Sequence, residues 1–511
     1  MTPFALFAVL YMTALFLDQA ERWTYPLFTL ASLFLILVIV STRITRITFL
    51  IFLVVITAQL LLRQFPDVPN HLNIAIYCNL VMMVGIVLSW VRIRDYPSDD
   101  DYFEMVRPIL QVSTIIVYFL AGFNKLNADF VNPHVSCVKG MTENLVRMAI
   151  SPVGGIPKGL VLLGAGAVVA YRLLLPRLGQ RAKRVAAAVL LSLIAAAVML
   201  AVMPLPKIDP GVTGLAVKAM VALVISWELI GALMLAFPAL QLPMLAFSWT
   251  MHSSLALIGF VDFGAVALSL LITFVPWRYL ALLNSRVHVP WLGLSVHRAY
   301  LYLATSILCG IVGFGQNFVA GVVFNLGALV FLWPLLSGLT APSPRPPWTG
   351  VPLSSPLTPK WMYIFPVLVF LHGLTSYLGL RTAGNFSMFS NLRTEGPVSN
   401  HFLLRSNPLK LWSYQEDVVS FIDIDDRRAK IGFQYQPLRG NQLPVVEFRK
   451  LIYWWTKAGV AVPMTLEYRG KIHSTEDITS DPVWRTETRD WEMVLMDFRS
   501  IQPTGPNRCR W

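Results

Sequence analysis

Four ionisable side chains stand inside apolar stretches of the sequence, and all are of types that can carry protons. Lys125 lies in VYFLAGFNKLNADF with Asn124, Asn127 and Asp129 beside it; His71 follows Asn70 in FPDVPNHLNIAIYCNL; Glu228 interrupts ALVISWELIGALML; and His252 falls in LAFSWTMHSSLALIGF. Loss of water disfavours an ammonium ion, so a lysine in an apolar pocket can offer a neutral amine as base to a lipid-soluble acid. A histidine nearby can stabilise the resulting anion or relay protons. Each residue also has a plain structural reading. Lysine at a helix end snorkels to headgroups, histidine after Pro69 and Asn70 helps to start a helix, and a mid-span carboxyl or imidazole hydrogen-bonds a neighbouring helix. Metal is not expected. The cysteines Cys78, Cys137, Cys309 and Cys509 have no zinc or redox spacing, and the DIDD run at 423–426 lacks the glycine and distal glutamate of a calcium loop.

The elements that must hold these groups are membrane helices. With 56% hydrophobic and only 14% charged residues among 511, an ordinary globular surface is excluded. A bilayer core takes about 20 apolar residues per helix, and such stretches recur from Phe4 to Leu380. Spans are expected at roughly 3–17, 25–41, 47–62, 71–91, 108–126, 159–175, 185–203, 216–236, 240–260, 263–283, 299–316, 318–336 and 361–380. The fold class is therefore an all-α polytopic membrane bundle of about eleven to thirteen helices, followed by a small soluble α+β or β-rich domain. The first stretch lacks a basic leader and a small-residue cleavage site and is read as the first span.

The formal charge of +13 resides in short loops between apolar spans, so it reads as a topology signal and not as a nucleic-acid surface. Placing Arg172, Arg177, Arg181, Lys183 and Arg184 in the cytoplasm and alternating in both directions puts Arg43, Arg46, Arg92, Arg94, Arg107, Arg278, Arg286 and Arg298 there too. The N-terminus is then cytoplasmic, and an odd number of spans puts residues 381–511 outside the membrane of the cell. Lys125 and His71 reach the same outer face on helices joined by one loop, where they can meet. A Pro-rich run, APSPRPPWTGVPLSSPLTPK, reads as a cytoplasmic linker. In the tail, VVSFIDID, KIGFQYQ, MTLEYRG and MVLMDFRS have the pattern of strands, and PVVEFRKLIYWWTKAG that of an amphipathic helix stopped at Gly459. Cys137 and Cys509 are the two cysteines placed outside; a disulfide and two free thiols are both compatible with that.

The stretch YFLAGFNKLNADFV resembles the signature of the vitamin K-dependent gamma-carboxylase membrane domain, also called the horizontally transferred transmembrane domain. On that resemblance, Lys125 matches the lysine that deprotonates vitamin K hydroquinone, Asn70 and His71 match an Asn-His pair of an earlier helix, and Glu228 and His252 match a recurrent acidic residue and histidine. Asn124, Asn127 and Asp129 belong to the same substrate-side motif. GNFSMFSNLRTEG resembles a motif after the family's last helix. Residues 1–285 correspond to the family domain, 286–380 to further spans with the Pro-rich linker, and 381–511 to the soluble domain.

The resemblance implies epoxidation of a reduced vitamin K or menaquinol-type quinol by O₂, producing a strong base. Two departures argue against the family's subsequent CO₂ addition to glutamate: Asn124 stands where the family has the first of two lysines, and the tail is short. The expected activity is a membrane-embedded quinol epoxidase or oxygenase that matures a secreted peptide or protein, with the bilayer and a lipid-soluble quinol as partners. The competing reading is a transporter or assembly factor in which Glu228 and His252 form a polar path and Lys125 anchors a helix.

Overall fold

The computed structural model describes residues 1–22, 26–65, 68–150, 152–153, 156–157, 210–289, 294–312, 317–340, 349–396, 398–406, 409–425, 427, 429 and 437–509. The expected spans at 159–175 and 185–203, the basic loop from Arg172 to Arg184, residues 341–348 of the Pro-rich linker and the KIGFQYQ segment lie outside the described residues.

The chain begins with α1 (Pro3–Arg22), α2 (Pro26–Thr42), α3 (Arg46–Gln64), α4 (Asn70–Val91) and α5 (Asp99–Asn124). The short α6 (Ala128–Val131), α7 (Cys137–Ile150) and a small hairpin, β1 (Pro152–Val153) with β2 (Ile156–Pro157), follow. Next come α8 (Pro210–Ile225), a π-helical turn (Ser226–Gly231), α9 (Ala232–Leu235), α10 (Gln241–Ala256), α11 (Val261–Leu271) and α12 (Trp277–Leu283). A hairpin of β3 (Arg286–Val289) and β4 (Leu294–His297) leads to α13 (Arg298–Val312), α14 (Asn317–Thr340) and α15 (Ile364–Leu374).

Five described helices are long and apolar enough to cross a membrane: Pro3–Ala20, Asn70–Val91, Asp99–Asn124, Gly214–Leu235 and Phe318–Leu336. Shorter apolar helices surround them. α1 is apolar on every side and sits in the middle of the bundle, as a helix without a polar face must. On the periphery the pattern inverts. α3 exposes Ile47, Ile51 and Val54 at helical spacing, and α2 exposes Leu27 and Phe34, apolar surface that water would not favour.

Two expected spans differ in form. α5 starts at Asp99 and not at Pro108: Ser98 and Asp101 form a capping box, and three aspartates occupy the first turn, where the helix dipole favours them. An apolar window misses that polar turn, and Pro108 lies inside the helix. The stretch 263–283 is broken, because α11 tightens into a 3₁₀ turn (Ile272–Phe274) and stops before Pro276. The buried Arg107 guanidinium donates to the carbonyls of Thr273 and Val275, both at 2.6 Å, and Gln111 donates to Thr273 at 2.9 Å. Those contacts satisfy the carbonyls that the break leaves without helical partners.

Polar contacts gather at the two ends of the bundle. At one, the starts of α1, α3 and α5 meet through Phe4 N–H to Asp100 and Arg46 to Asp99. At the other lie the end of α1, the start of α4 and the end of α5.

The tail folds onto that second end. β5 (Val418–Ile424), β6 (Gln442–Pro444), β7 (Met464–Tyr468) and β8 (Lys471–Thr475) form an antiparallel sheet in the order β6-β5-β7-β8, and α16 (Val445–Ala458) packs on it through Phe448, Ile452 and Trp455. Gly459 ends α16 in a left-handed conformation (φ 64°), as the sequence indicates. The MVLMDFRS segment is no strand: Asp490 caps a short α17 (Trp491–Leu495), after which the chain runs extended to an isolated bridge between Ile501 and Gln442. Its alternation of apolar residues is local and has no neighbouring strand to pair with over its length.

Candidate functional site

A narrow apolar cavity lies between α4, α5, the π-turn and α11, near the second end of the bundle. Ile74, Val117, Ala121, Phe263, Val266, Ala267, Leu270 and Met388 supply most of its wall. The polar groups on it are His71, Thr114, Tyr118 and Glu228.

Lys125 caps α5 directly beside this wall. Its ammonium lies 2.7 Å from Glu228 Oε2 and 3.1 Å from the Met388 carbonyl, and it is 2% exposed. Glu228 reaches it from the π-turn, where the extra residue per turn rotates side chains off the ordinary helical positions. Close approach of the two helices depends on Gly122, since a Cβ there would stand 2.7 Å from the Leu229 nitrogen.

Facing them, His71 Nε2 lies 3.0 Å from Asp262 and 3.3 Å from Asp18. The three come from the starts of α4 and α11 and the last part of α1. Glu228 and His71 thus line one cavity; Lys125 reaches it through Glu228, and His71 is paired with Asp18 and Asp262. Farther in, Tyr118 and His252 Nε2 share a 2.6 Å hydrogen bond, and both rings stack edge-on against Trp227. Glu228 and His252 do not pair with one another; each is engaged by an α5 residue.

The remaining expected site residues do something else. Asn70 Oδ1 accepts from Phe386 N–H at 2.5 Å, Asn124 donates to the Phe386 carbonyl at 3.2 Å, and Asn127 donates to the Ser390 carbonyl at 2.6 Å. Asp129 accepts from Asn400 and from Asn507 N–H. None of these four lines the cavity; they tie the segment 384–400 to the start of α4 and to the end of α5 and the turn after it. That segment is the GNFSMFSNLRTEG motif and its continuation. Phe386, Phe389 and Asn391 all have positive φ there, which costs a side-chain-bearing residue of order 1–3 kcal/mol and is retained where surroundings over-determine it. Its middle contributes Met388 to the cavity wall.

Cys137 and Cys509 are joined as a disulfide, which ties the start of α7 to the end of the described tail. Cys78 and Cys309 are buried free thiols in α4 and α13. Asn391 bridges the same region, donating to the Val135 and Asn507 carbonyls and accepting from Cys137 N–H.

Asp18, Asp262 and Tyr118 escaped the sequence reading. The two aspartates lie at helix ends, where a charge is ordinary, and a tyrosine in an apolar helix carries no formal charge to mark it. Comparison with known proteins returns no match: no family model, no curated protein and no solved structure is similar to this chain.

Proposed function

We propose that the chain is a polytopic integral membrane protein, with about eleven to thirteen spans, that acts as a quinol-dependent oxygenase or epoxidase. Its N-terminus is cytoplasmic, residues 381–511 lie on the extracytoplasmic face of the inner or plasma membrane, and the cavity opens toward that face. The observation that carries the reading is one apolar cavity lined by His71 and by Glu228, which pairs with Lys125. Apolar walls with a few convergent polar groups suit a flat, lipid-soluble ring with a hydroxyl at each end.

In this reading Lys125 takes the hydroxyl proton. Glu228 lies close enough to accept a proton from the ammonium first, leaving the free amine that a base requires. His71, on the facing wall, meets the negative charge that develops on the ring oxygen. O₂ then adds to the ring; one oxygen atom enters the ring double bond as the epoxide and the other leaves as water. The resemblance of Tyr118 to Val131 to the gamma-carboxylase membrane domain supports the same chemistry, while Asn124 in place of a lysine supports an end reaction other than glutamate carboxylation. A secreted peptide or protein, presented at the 381–511 domain, is the proposed recipient.

The test is epoxide formation by the purified chain in detergent, given reduced menaquinone or vitamin K under O₂. Lys125→Met is expected to lower turnover by about 100-fold or more, the usual weight of a positioned base. Turnover unchanged in that variant, or no epoxide from the wild-type chain with either quinol, overturns the assignment.

A further inference from the structure

We propose that Asp18, His71 and Asp262 form a binding site for one first-row divalent cation, Mn²⁺, Fe²⁺ or Zn²⁺, at the edge of the cavity. The three donor atoms, one from each residue, lie within 4.8 Å of one another. His71 Nε2 is 3.0 Å from Asp262 Oδ2 and 3.3 Å from Asp18 Oδ1. Metal–ligand bonds of about 2.0–2.2 Å place adjacent ligand atoms about 3.0–3.4 Å apart, so these spacings are those of the edges of a coordination polyhedron.

Hydrogen bonding alone accounts poorly for the arrangement. An imidazole nitrogen carries one hydrogen, yet two carboxylates converge on the same Nε2. Their side chains are 9% and 6% exposed, so little water is present to screen one from the other. A divalent cation bound to neutral imidazole balances both carboxylates and uses the Nε2 lone pair, which then points at the metal and not at a proton.

The donor set selects the class of ion. One nitrogen with two carboxylates suits Mn²⁺, Fe²⁺ or Zn²⁺, whereas Ca²⁺ and Mg²⁺ take oxygen ligands. The scaffold also fits. The ligands come from three different helices, α1, α4 and α11, so the site is held by the bundle core and not by one flexible loop. Three protein ligands leave at least one coordination position, and His71 places the site on the cavity wall. A cation there supplies positive charge where the quinol oxyanion is proposed to form; that consequence rests on the function proposed above, whereas the metal site does not.

The untagged full chain is purified in detergent, stripped with EDTA, incubated with Mn²⁺ or Zn²⁺ in turn, desalted, and counted by elemental mass spectrometry; bound Mn²⁺ is also followed by its electron paramagnetic resonance. No quinol is present, so a failed epoxidase assay and a failed metal site remain separate results. About one equivalent per wild-type chain is expected, falling at least tenfold in Asp18→Asn/Asp262→Asn and in His71→Gln, and retained in Lys125→Met, which removes the charge paired with Glu228. Equal retention by wild type and Asp18→Asn/Asp262→Asn, or none by wild type with either ion, overturns the proposal. Should the variants not yield monodisperse protein, the wild type decides: the stripped chain must show a higher thermal midpoint on adding one of the ions, and no shift with either overturns the site.

Discussion

At the scale of the residue, the Lys125–Glu228 pair has two separable effects, on stability and on chemistry. Removing one member leaves a buried charge without its partner, which costs about 3–5 kcal/mol, whereas replacing both by apolar groups is often neutral. Lys125→Met alone is therefore expected to lower the thermal midpoint in detergent strongly, and Lys125→Met/Glu228→Leu to recover it while epoxide formation stays absent. Recovery of turnover together with stability would mean that Lys125 serves packing alone. Tyr118 gives a second test, because it lines the cavity and shares its hydroxyl with His252, whose Nδ1 has no partner among the described residues. Tyr118→Phe keeps the ring against Trp227 and removes only the hydroxyl. Turnover is expected to fall more than tenfold with little loss of stability, measured as kcat on the quinol against the thermal midpoint.

At the scale of the element, the site depends on how closely α5 can approach the π-turn. A methyl at Gly122 would meet the Leu229 nitrogen at 2.7 Å and the Glu228 carbonyl carbon at 2.9 Å, and backbone cannot swing aside as a side chain can. Gly122→Ala is expected to cost about 1–3 kcal/mol of stability through overpacking, read as a lower thermal midpoint, and to separate Lys125 from Glu228, so turnover falls as well. An unchanged midpoint would show that the helices slide apart freely. Much of this architecture is legible in the sequence, because apolar runs of membrane length mark α1, α4, α5 and α14 without any tertiary information. Lys125, His71, Glu228 and His252 are legible for the complementary reason: ionisable groups are conspicuous among apolar neighbours. Their pairing is not. Glu228 meets Lys125 only because a π-turn rotates it toward α5, and π-turns leave no periodic signature. Asn70, Asn124 and Asn127 are legible as polar residues beside the ionisable ones but not as ties to a segment more than 250 positions away, since hydrogen bonds at that separation follow no local pattern.

At the scale of the whole molecule, the tail is part of the site's enclosure. Buried ion pairs fasten it: Lys450 lies between Glu447 and Asp497, and Arg381, just beyond α15, pairs with Asp497 as well. The Thr382 and Ala383 amides donate to the Asp497 carbonyl, so the segment that supplies Met388 to the cavity wall starts from a point fixed to the C-terminal domain. The Cys137–Cys509 disulfide fixes the other side, joining positions 372 residues apart. Such a bond survives where the compartment is oxidising, which ties its presence to the sidedness inferred from the basic loops. In intact cells a membrane-impermeant phosphine followed by an impermeant maleimide is expected to label two thiols, neither of which reacts before reduction, while buried Cys78 and Cys309 stay unlabelled until the protein is denatured. Labelling only after the membrane is permeabilised would place this end of the bundle, and with it Lys125 and His71, in the cytoplasm. Reduction also releases the chain constraint, worth about 2–4 kcal/mol for a typical disulfide, so the thermal midpoint of the purified chain is expected to fall on reduction and in Cys137→Ser/Cys509→Ser alike. Because the segment 384–400 is further held by Asn70, Asn124 and Asn127, the same reduction is expected to leave its hold on α4 and α5 intact and to lower stability more than it lowers quinol turnover.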